Sequence, residues 1–239
     1  MKSVEIGLLL CDHLDDDVAT VVGDYPELFP DAFLPAGVNL RIYEVTEGDL
    51  PGSTDECRGW ITSGSRYSAY DDEPWIAALS EFTVAAANDR VPHMGICFGH
   101  QLIAQALGGR VERSAAGWGV GAKEFEVINS APWMQPASER FRVLMSHQDQ
   151  VVELPEGGQT IAAAPYCPVG AYRVDSHVFC VQGHPEFVPE LNRLLIEKRR
   201  SKLGEPTAGD ALASLDEPLD HALLIEWTAR FFDMAGDMA

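Results

Sequence analysis

Residues 91–109 read VPHMGICFGHQLIAQALGG, and the rest of the sequence is interpreted outward from this stretch. Val91 to Ile96 is a short apolar run, typical of a buried strand. A glycine pair at 108–109 ends the helix that follows, whose apolar residues share one face: Leu102, Ile103, Ala106 and Leu107. Between them, G-x-C-x-G surrounds Cys97, where the glycines permit a strand-to-helix turn too tight for side chains.

Other segments upstream have the same alternation. A helix is expected to begin at Pro74, because acidic residues precede it and apolar residues from Trp75 to Ala86 share one face. Strands that alternate with helices at this spacing indicate a parallel sheet with helices on both faces. We therefore predict an α/β protein with a three-layer αβα architecture and a mixed, mostly parallel central sheet. The further predicted strands are Val4 to Leu10, Leu40 to Val45 and Gly59 to Thr62.

The pattern changes after Gly109, where strands and turns replace the alternation and predict antiparallel additions to the same sheet. These lie at Arg110 to Val127, Phe141 to Leu154, Thr160 to Ala164 and Gly170 to Val181. Helices return at Pro189 to Leu203 and in the tail, with a loop or short helix expected at Gly204 to Pro218. We expect a single domain over residues 1–239, with its core at about 4–200 and a helical extension at about 204–239.

The charge balance excludes several classes of partner. The chain has 239 residues, and 37 acidic against 17 basic residues give a formal net charge of −20. Such a charge repels phosphate backbones and anionic lipids, so neither a nucleic-acid nor a membrane partner is expected. No apolar run approaches the roughly 20 residues of a membrane helix. An odd number of cysteines, 5, without a repeating frame predicts reduced thiols and a cytoplasmic location.

Three separate segments carry candidate chemistry. Cys97 stands at a predicted helix N-terminus, where the helix dipole favours a thiolate, although a buried core cysteine would fit the pattern too. His184 could deprotonate that cysteine, and Glu186 could fix the imidazole tautomer. The loop Thr62-Ser63-Gly64-Ser65 could turn a backbone N–H toward the nucleophile, although it could equally be an ordinary turn after a strand.

Taken together, these segments resemble the class I glutamine amidotransferase family. GICFGHQ is followed 87 residues after the cysteine by His-Pro-Glu, and residues 146–151 read SHQDQV, close to the family's Ser-His-Gly-Asp-x-Val. Within that family the chain is most similar to stand-alone proteins that resemble γ-glutamyl peptidases. Ser65 and Arg66 depart from the family's usual Gly-Pro, and Gln148 replaces a usual glycine.

The resemblance implies the family's flavodoxin-like architecture and its Cys-His-Glu triad at Cys97, His184 and Glu186. It also implies an oxyanion hole formed by the backbone N–H groups of Phe98 and Ser65. The residues expected to contact the glutamyl substrate are Gly64, Gln101, Gln148 and Asp149. No cofactor and no metal are implied. A zinc pattern of Cys97-x-x-His100 with His177-x-x-Cys180 can be written, but nothing in the sequence brings the two pairs together.

Three functions remain open from the sequence. The first is a stand-alone hydrolase of γ-glutamyl amides, acting on glutamine or on γ-glutamyl peptides and related compounds. The second is a glutaminase that supplies ammonia to a separate synthetase partner, and the third is a non-catalytic binding or regulatory protein on the same fold. The acidic segment Asp12 to Asp31 is expected to lie over one end of the sheet, near the substrate entrance.

Overall fold

A computed structural model describes residues 4–236 of the chain. In the first half the elements are β1 (Val4–Leu10), α1 (Asp16–Val22), α2 (Tyr25–Phe33), β2 (Val38–Glu44), β3 (Trp60–Thr62), α3 (Pro74–Asn88), β4 (His93–Ile96) and α4 (Phe98–Ala106). The second half contains β5 (Arg110–Arg113), β6 (Gly119–Val127), β7 (Arg140–His147), β8 (Asp149–Glu153), β9 (Gly158–Ala164), β10 (Cys167–Val174), β11 (Val178–Val181), α5 (Pro189–Lys198), α6 (Arg200–Leu203), α7 (Glu205–Ser214) and α8 (His221–Gly236).

The central sheet has nine strands in the order β2-β1-β3-β4-β11-β10-β9-β6-β7. Its first five strands are parallel, and every later pairing, beginning with β10 on β11, is antiparallel. Neighbouring residues of β1 belong to two different hydrophobic clusters. Leu8 is in the cluster that includes residues of α2, α5 and α8, and Leu9 is in the cluster that includes residues of α3 and α4. The sheet is therefore covered by helices on both faces, and the predicted αβα fold with a mixed sheet is confirmed.

Three parts of the fold differ from the sequence prediction. Strand β11, expected among the antiparallel additions, pairs in parallel with β4 in the middle of the central sheet. β5 and β8 pair with each other in a separate two-stranded sheet and do not add to the central one. The acidic, proline-bearing stretch before Phe33 forms two helices that its composition concealed. Helix α2 begins with a capping box, in which the Asp24 and Glu27 side chains each accept a backbone N–H, and Pro26 suits the first turn because its missing N–H would be unpaired there. The segment Gly204 to Pro218 contains helix α7, the second of the two expected alternatives.

No helix within residues 4–236 is long and apolar enough to cross a membrane. The expectation of a single domain over the whole chain stays a prediction.

Glycine at position 7 is required by a close approach at the middle of β1. A Cβ atom built there would lie 2.1 Å from Cζ3 of Trp60, whose indole is fully buried. The Trp60 ring makes an edge contact with Phe82 at a centroid distance of 5.0 Å, so it cannot move aside without disturbing α3.

We therefore expect Gly7→Ala to lower the free energy of unfolding by about 1–3 kcal/mol, because an added methyl group overpacks the core. Urea denaturation followed by circular dichroism measures this. The matched control is Gly209→Ala in α7, where a Cβ would meet no atom within 4 Å. That variant should be as stable as the wild type or up to about 1 kcal/mol more stable. A Gly7→Ala protein of wild-type stability would contradict the described packing.

Candidate active site

Cys97 is the single residue between β4 and α4, and its backbone is strained. It has φ 53° and ψ −99°, a conformation that non-glycine residues rarely adopt. The flanking glycines explain how the turn can close. A Cβ at Gly95 would lie 2.5 Å from the Gly99 carbonyl oxygen, and one at Gly99 would lie 2.2 Å from the Thr62 carbonyl oxygen. The turn is therefore a nucleophile elbow in which backbone packs directly on backbone.

The sheet order brings the other two candidate segments to the same edge. Strands β3 and β11 flank β4 in parallel, with Thr62 opposite Gly95 and Val181 opposite Ile96. The loop after β3 and the His-Pro-Glu segment after β11 therefore emerge beside Cys97, as carboxyl ends of neighbouring parallel strands must. The Gly99 N–H donates to the Ser63 carbonyl at 3.1 Å, which joins the elbow to the loop.

His184 and Glu186 form a buried hydrogen-bonded pair. The His184 Nδ1–H donates to Glu186 Oε1 at 2.7 Å, and both residues are 3% exposed. The imidazole stacks on Phe187 with a centroid distance of 3.8 Å, and Phe187 in turn stacks on Tyr25 of helix α2. The backbone N–H of His184 donates to the Leu144 carbonyl at 2.9 Å. The ring orientation is thus fixed by contacts on its face, its edge and its backbone.

The electrostatics favour a charged imidazole at position 184. Burial lowers the pKa of His184, but the negative charges of Cys97 and Glu186 outweigh burial and raise that pKa to about 10. The second histidine of the region stays neutral, because burial and the charge of His184 lower the pKa of His147 to about 3. The Nε2 atom of His184 is buried and has no hydrogen-bond partner within residues 4–236. His184 is not among the residues that line the cleft described below, whereas Cys97 is.

The other four cysteines do not share this environment. Burial raises the pKa of Cys167 and of Cys180 to about 12, and it raises the pKa of Cys11 and Cys57 as well. All four are therefore neutral thiols at neutral pH. Only Cys97 among the cysteines lines the cleft described below.

The two expected oxyanion donors come from different segments: Phe98 directly follows Cys97, and Ser65 lies in the loop after β3. The N–H groups of Phe98 and Ser65 donate to no other group in the described part of the chain, so the oxyanion hole stays a prediction that no internal hydrogen bond opposes. Gly64 lies directly beside the imidazole: a Cβ at this position would be 2.8 Å from His184 Cε1 and 3.7 Å from Cys97 Cβ. Any side chain at position 64 would therefore collide with the candidate base.

The loop is anchored by a residue that the sequence analysis noted only as a departure from the family. The guanidinium of Arg66 donates to Asp12 at 2.9 Å and to Asp15 at 3.0 Å, and also to the His13 carbonyl at 2.5 Å. The Arg66 backbone N–H donates to Asp12 at 2.8 Å, and the Ser65 hydroxyl donates to the Cys11 carbonyl at 2.9 Å. The start of the acidic segment after β1 thus holds the loop that a Gly-Pro pair would otherwise stiffen. The placement of the whole segment near a substrate entrance stays a prediction.

A cleft of about 250 Å³ opens over Cys97. Three of the expected substrate-contacting residues line it. The amide nitrogen of Gln101 is committed to the Asp149 carbonyl at 2.7 Å and to Gln182 at 3.1 Å, which leaves its carbonyl oxygen as an acceptor. Asp149 accepts from the Ser68 hydroxyl at 2.5 Å, and Gln148 accepts from Arg113 at 2.6 Å. Ser65 also lines the cleft, whereas Gly64 lies beneath it against His184.

Sequence reasoning missed several residues of this region. Arg113, Trp118 and Arg199 line the cleft. His221, the first residue of α8, accepts a hydrogen bond from the Leu144 N–H at 3.3 Å. The carbonyl of the same Leu144 accepts the backbone N–H of His184. No local pattern marks these residues, because they come from four separate elements or loops. Within residues 4–236, no group of three or more His, Cys, Asp or Glu side chains is placed to hold a metal ion.

Comparison with known proteins agrees with this geometry. Residues 30–200 match the model of the family described as Glutamine amidotransferase class-I. Gamma-glutamyl peptidase 3 of Arabidopsis thaliana is 30% identical over 200 residues, covering 80% of this chain and 79% of the peptidase. The GMP synthase of Aeropyrum pernix is 32% identical over 200 residues, covering 82% of this chain but 38% of the synthase. A solved glutamine amidotransferase from Thermotoga maritima superposes with a TM-score of 0.78 over 98% of this chain and 100% of that chain, at 18% identity.

A strained cysteine elbow on a mixed αβα sheet, with a histidine and a carboxylate in the segment after the neighbouring strand, is the arrangement that the family resemblance implies. The chain belongs to the class I glutamine amidotransferase family.

The contacts of Arg66 should limit the motion of the loop at residues 63–68. Arg66→Met should raise the rate of amide hydrogen exchange in the peptide that spans residues 63–68 by about tenfold, because the loop loses its contacts to Asp12 and Asp15. Exchange measured by mass spectrometry checks this. Arg90→Met is the control, since Arg90 is an exposed arginine that pairs with Asp175 at 3.4 Å. Equal exchange in both variants would show that Arg66 does not anchor the loop.

The His184 charge predicts the reactivity of Cys97. His184→Gln should slow alkylation of Cys97 by iodoacetamide about tenfold or more at pH 7, because the imidazolium that stabilises the thiolate is lost. The wild-type imidazolium persists below its pKa of about 10, so the difference should be full at pH 7 and narrow as the pH approaches 10. Peptide mapping measures the rate. Cys97→Ala is the control and should show no rapid labelling. Equal alkylation rates in the wild type and in His184→Gln at pH 7 would show that His184 does not increase the reactivity of Cys97.

Proposed function

We propose that this protein hydrolyses γ-glutamyl amide bonds through a covalent γ-glutamyl thioester on Cys97. The observation that carries the proposal is the strained Cys97 beside the buried His184–Glu186 pair, whose pKa shift favours an imidazolium at neutral pH. A nucleophile, a proton carrier and an orienting carboxylate, placed after two neighbouring parallel strands, are what acyl transfer requires.

The proposed reaction has two steps, acylation of Cys97 and hydrolysis of the thioester. The Cys97 thiolate attacks the γ-carbonyl carbon, and the C–N bond breaks as the His184 Nε2–H protonates the departing nitrogen. Ammonia or an amine leaves, and a γ-glutamyl thioester remains on the sulfur. The imidazole, now neutral, removes a proton from water as that water attacks the thioester, which releases glutamate and restores the thiolate–imidazolium pair.

Glu186 acts through His184. Its hydrogen bond to Nδ1 keeps the proton on that nitrogen, so Nε2 faces the reaction with the correct protonation. A carboxylate at 3% exposure would be costly without a partner, and the imidazolium supplies one. The pair is therefore stable in the charge state that the first step uses.

The free N–H groups of Phe98 and Ser65 would bind the developing oxyanion. One such donor contributes roughly 3–4 kcal/mol to the transition state in comparable sites. Phe98 also begins α4, so the positive end of the helix dipole adds to the same effect. The Gln101 carbonyl oxygen and the Asp149 carboxylate would receive the α-ammonium of the glutamyl group, because both are acceptors on the cleft wall.

The relatives favour a stand-alone enzyme over a synthetase component. The Arabidopsis peptidase is matched over 79% of its length, whereas the Aeropyrum GMP synthase extends well beyond the matched 38%. A second candidate function, ammonia supply to a synthetase in trans, draws support from the glutamine-hydrolyzing GMP synthase subunit of Methanoculleus marisnigri, which is 38% identical over 109 residues. That match covers 45% of this chain, so we place this function second.

The test is glutamate release from L-glutamine and from γ-glutamyl dipeptides by the purified protein alone. Turnover by the wild type should vanish in Cys97→Ala, and Glu186→Gln should lower kcat about 100-fold or more, because the imidazole loses its orienting partner. Cys57→Ala is the control, since Cys57 lies in the core cluster of β1 and α3 and not in the cleft.

Two other results would contradict the proposal. A folded wild type that releases no glutamate from any substrate would favour ammonia supply to a partner or a non-catalytic role. Turnover that persists in Cys97→Ala would show that the nucleophile is another residue.

A further inference from the structure

The cleft extends beyond the residues used above to a wall formed by Arg113, Trp118 and Arg199. Arg113 is the last residue of β5, Trp118 precedes β6, and Arg199 follows α5. The guanidinium of Arg199 lies over the Trp118 ring, 5.6 Å from its centroid. Cation–π stacking of this kind holds the planar group in place and leaves its edge free to donate hydrogen bonds.

Both arginines lack an ion pair with a carboxylate in the part of the chain that the structure describes. Arg113 donates to the Gln148 side-chain oxygen and Arg199 to the Ser146 hydroxyl, each at 2.6 Å, and both acceptors are neutral. Arg66 lines the same cleft but is neutralised by Asp12 and Asp15. In a protein with a net charge of −20, two cations left without counter-charges in a cleft point to anionic groups on the ligand.

The glutamyl half of a substrate would pair with only one of these two arginines. It carries one carboxylate, and Arg113 is bonded to Gln148, the residue expected to hold that amino-acid end. Arg199 is placed differently, because it also lines a neighbouring groove, whose other charged residues include Lys202 and the two carboxylates that pair with Arg66. It therefore stands where the cleft continues outward, with no group of the glutamyl half assigned to it.

We propose that Arg199, backed by Trp118, binds the carboxylate of the leaving group. The preferred substrates are then γ-glutamyl amino acids or short γ-glutamyl peptides with a free C-terminal carboxylate. Glutamine would leave this subsite empty, because its leaving group is ammonia. The indole of Trp118 offers an apolar surface to the side chain of the leaving residue. This inference rests on the proposed γ-glutamyl hydrolase function and specifies the class of amine that departs.

The experiment measures binding without turnover, in the Cys97→Ala protein. Calorimetric titration compares γ-glutamyl-alanine with γ-glutamyl-alaninamide, which differ only in the leaving-group carboxylate. We expect the free acid to bind at least about tenfold more tightly, as one charge-assisted contact provides. Adding Arg199→Met should remove that preference, and Arg199→Lys, which keeps the charge but not the bidentate geometry, should restore part of it.

The matched control is Arg200→Met in the same background. Arg200 pairs with Glu197 and Glu205 and does not line the cleft, so the preference should persist. Equal binding of acid and amide, or a preference that survives in Arg199→Met, would overturn the proposal. An equal loss of both ligands in Arg199→Met and in Arg199→Lys would also overturn it, since Arg199 would then hold the glutamyl half.

The two proposals fail in different ways. A carboxylate preference that depends on Arg199, in a protein whose wild type hydrolyses neither compound and releases no glutamate from L-glutamine, would support the subsite and refute the hydrolase function. Hydrolysis of both compounds at equal kcat/KM, with equal binding, would support the hydrolase function and refute the subsite.

Discussion

The contact of backbone with backbone at the Cys97 elbow is the constraint on which this structure depends. A residue held at φ 53° costs of order 1–3 kcal/mol, so its surroundings must hold it. They do so through hydrogen bonds on both sides: the Cys97 N–H donates to the Val181 carbonyl at 3.0 Å, and the Gly99 N–H donates to the Ser63 carbonyl at 3.1 Å. The same two bonds tie the elbow to the segments that follow β3 and β11. The backbone strain at Cys97 and the position of the two neighbouring segments are therefore set by the same hydrogen bonds.

The His184–Glu186 pair shows how the protein stabilises charge where water is excluded. An imidazolium and a carboxylate at 3% exposure are tolerated because each neutralises the other and because the strand residue Leu144 fixes the histidine backbone. The stack of His184 on Phe187, and of Phe187 on Tyr25, extends this support to helix α2. A helix formed by an acidic, proline-bearing stretch thus contributes to the orientation of the His184 ring, from outside the cleft.

Charge is distributed unevenly between the surface and the cleft. The surface is strongly acidic, and part of that acidity has a structural use, since Asp12 and Asp15 neutralise Arg66 and hold the loop that carries the Ser65 N–H. Arg113 and Arg199 have only neutral partners in the described structure, so the cleft retains positive charge within an anionic protein. A ligand with carboxylates would be drawn to the cleft and repelled elsewhere, which gives selectivity without additional contacts.

The sequence alone determined the elements whose cause is local. The elbow could be predicted because only glycine fits where backbone touches backbone, and β1, α3, β4 and α4 could be predicted because apolar periodicity and proline or glycine boundaries mark them. The partners of Cys97 followed from His-Pro-Glu through the family resemblance, which the fold and the comparisons support.

Only the tertiary structure decided the rest. The pairing of β5 with β8 joins strands about forty residues apart, the Arg66 anchor joins residues more than fifty apart, and the Arg199–Trp118 wall joins residues about eighty apart. Helix α2 has a buried face formed by Tyr25, Leu28, Phe29 and Phe33, but Pro30 inside the helix argued against a helix in the sequence. Capping together with burial in the core stabilises α2. Each of these features depends on contacts between segments that folding brings together, and no local pattern of residues encodes such a contact.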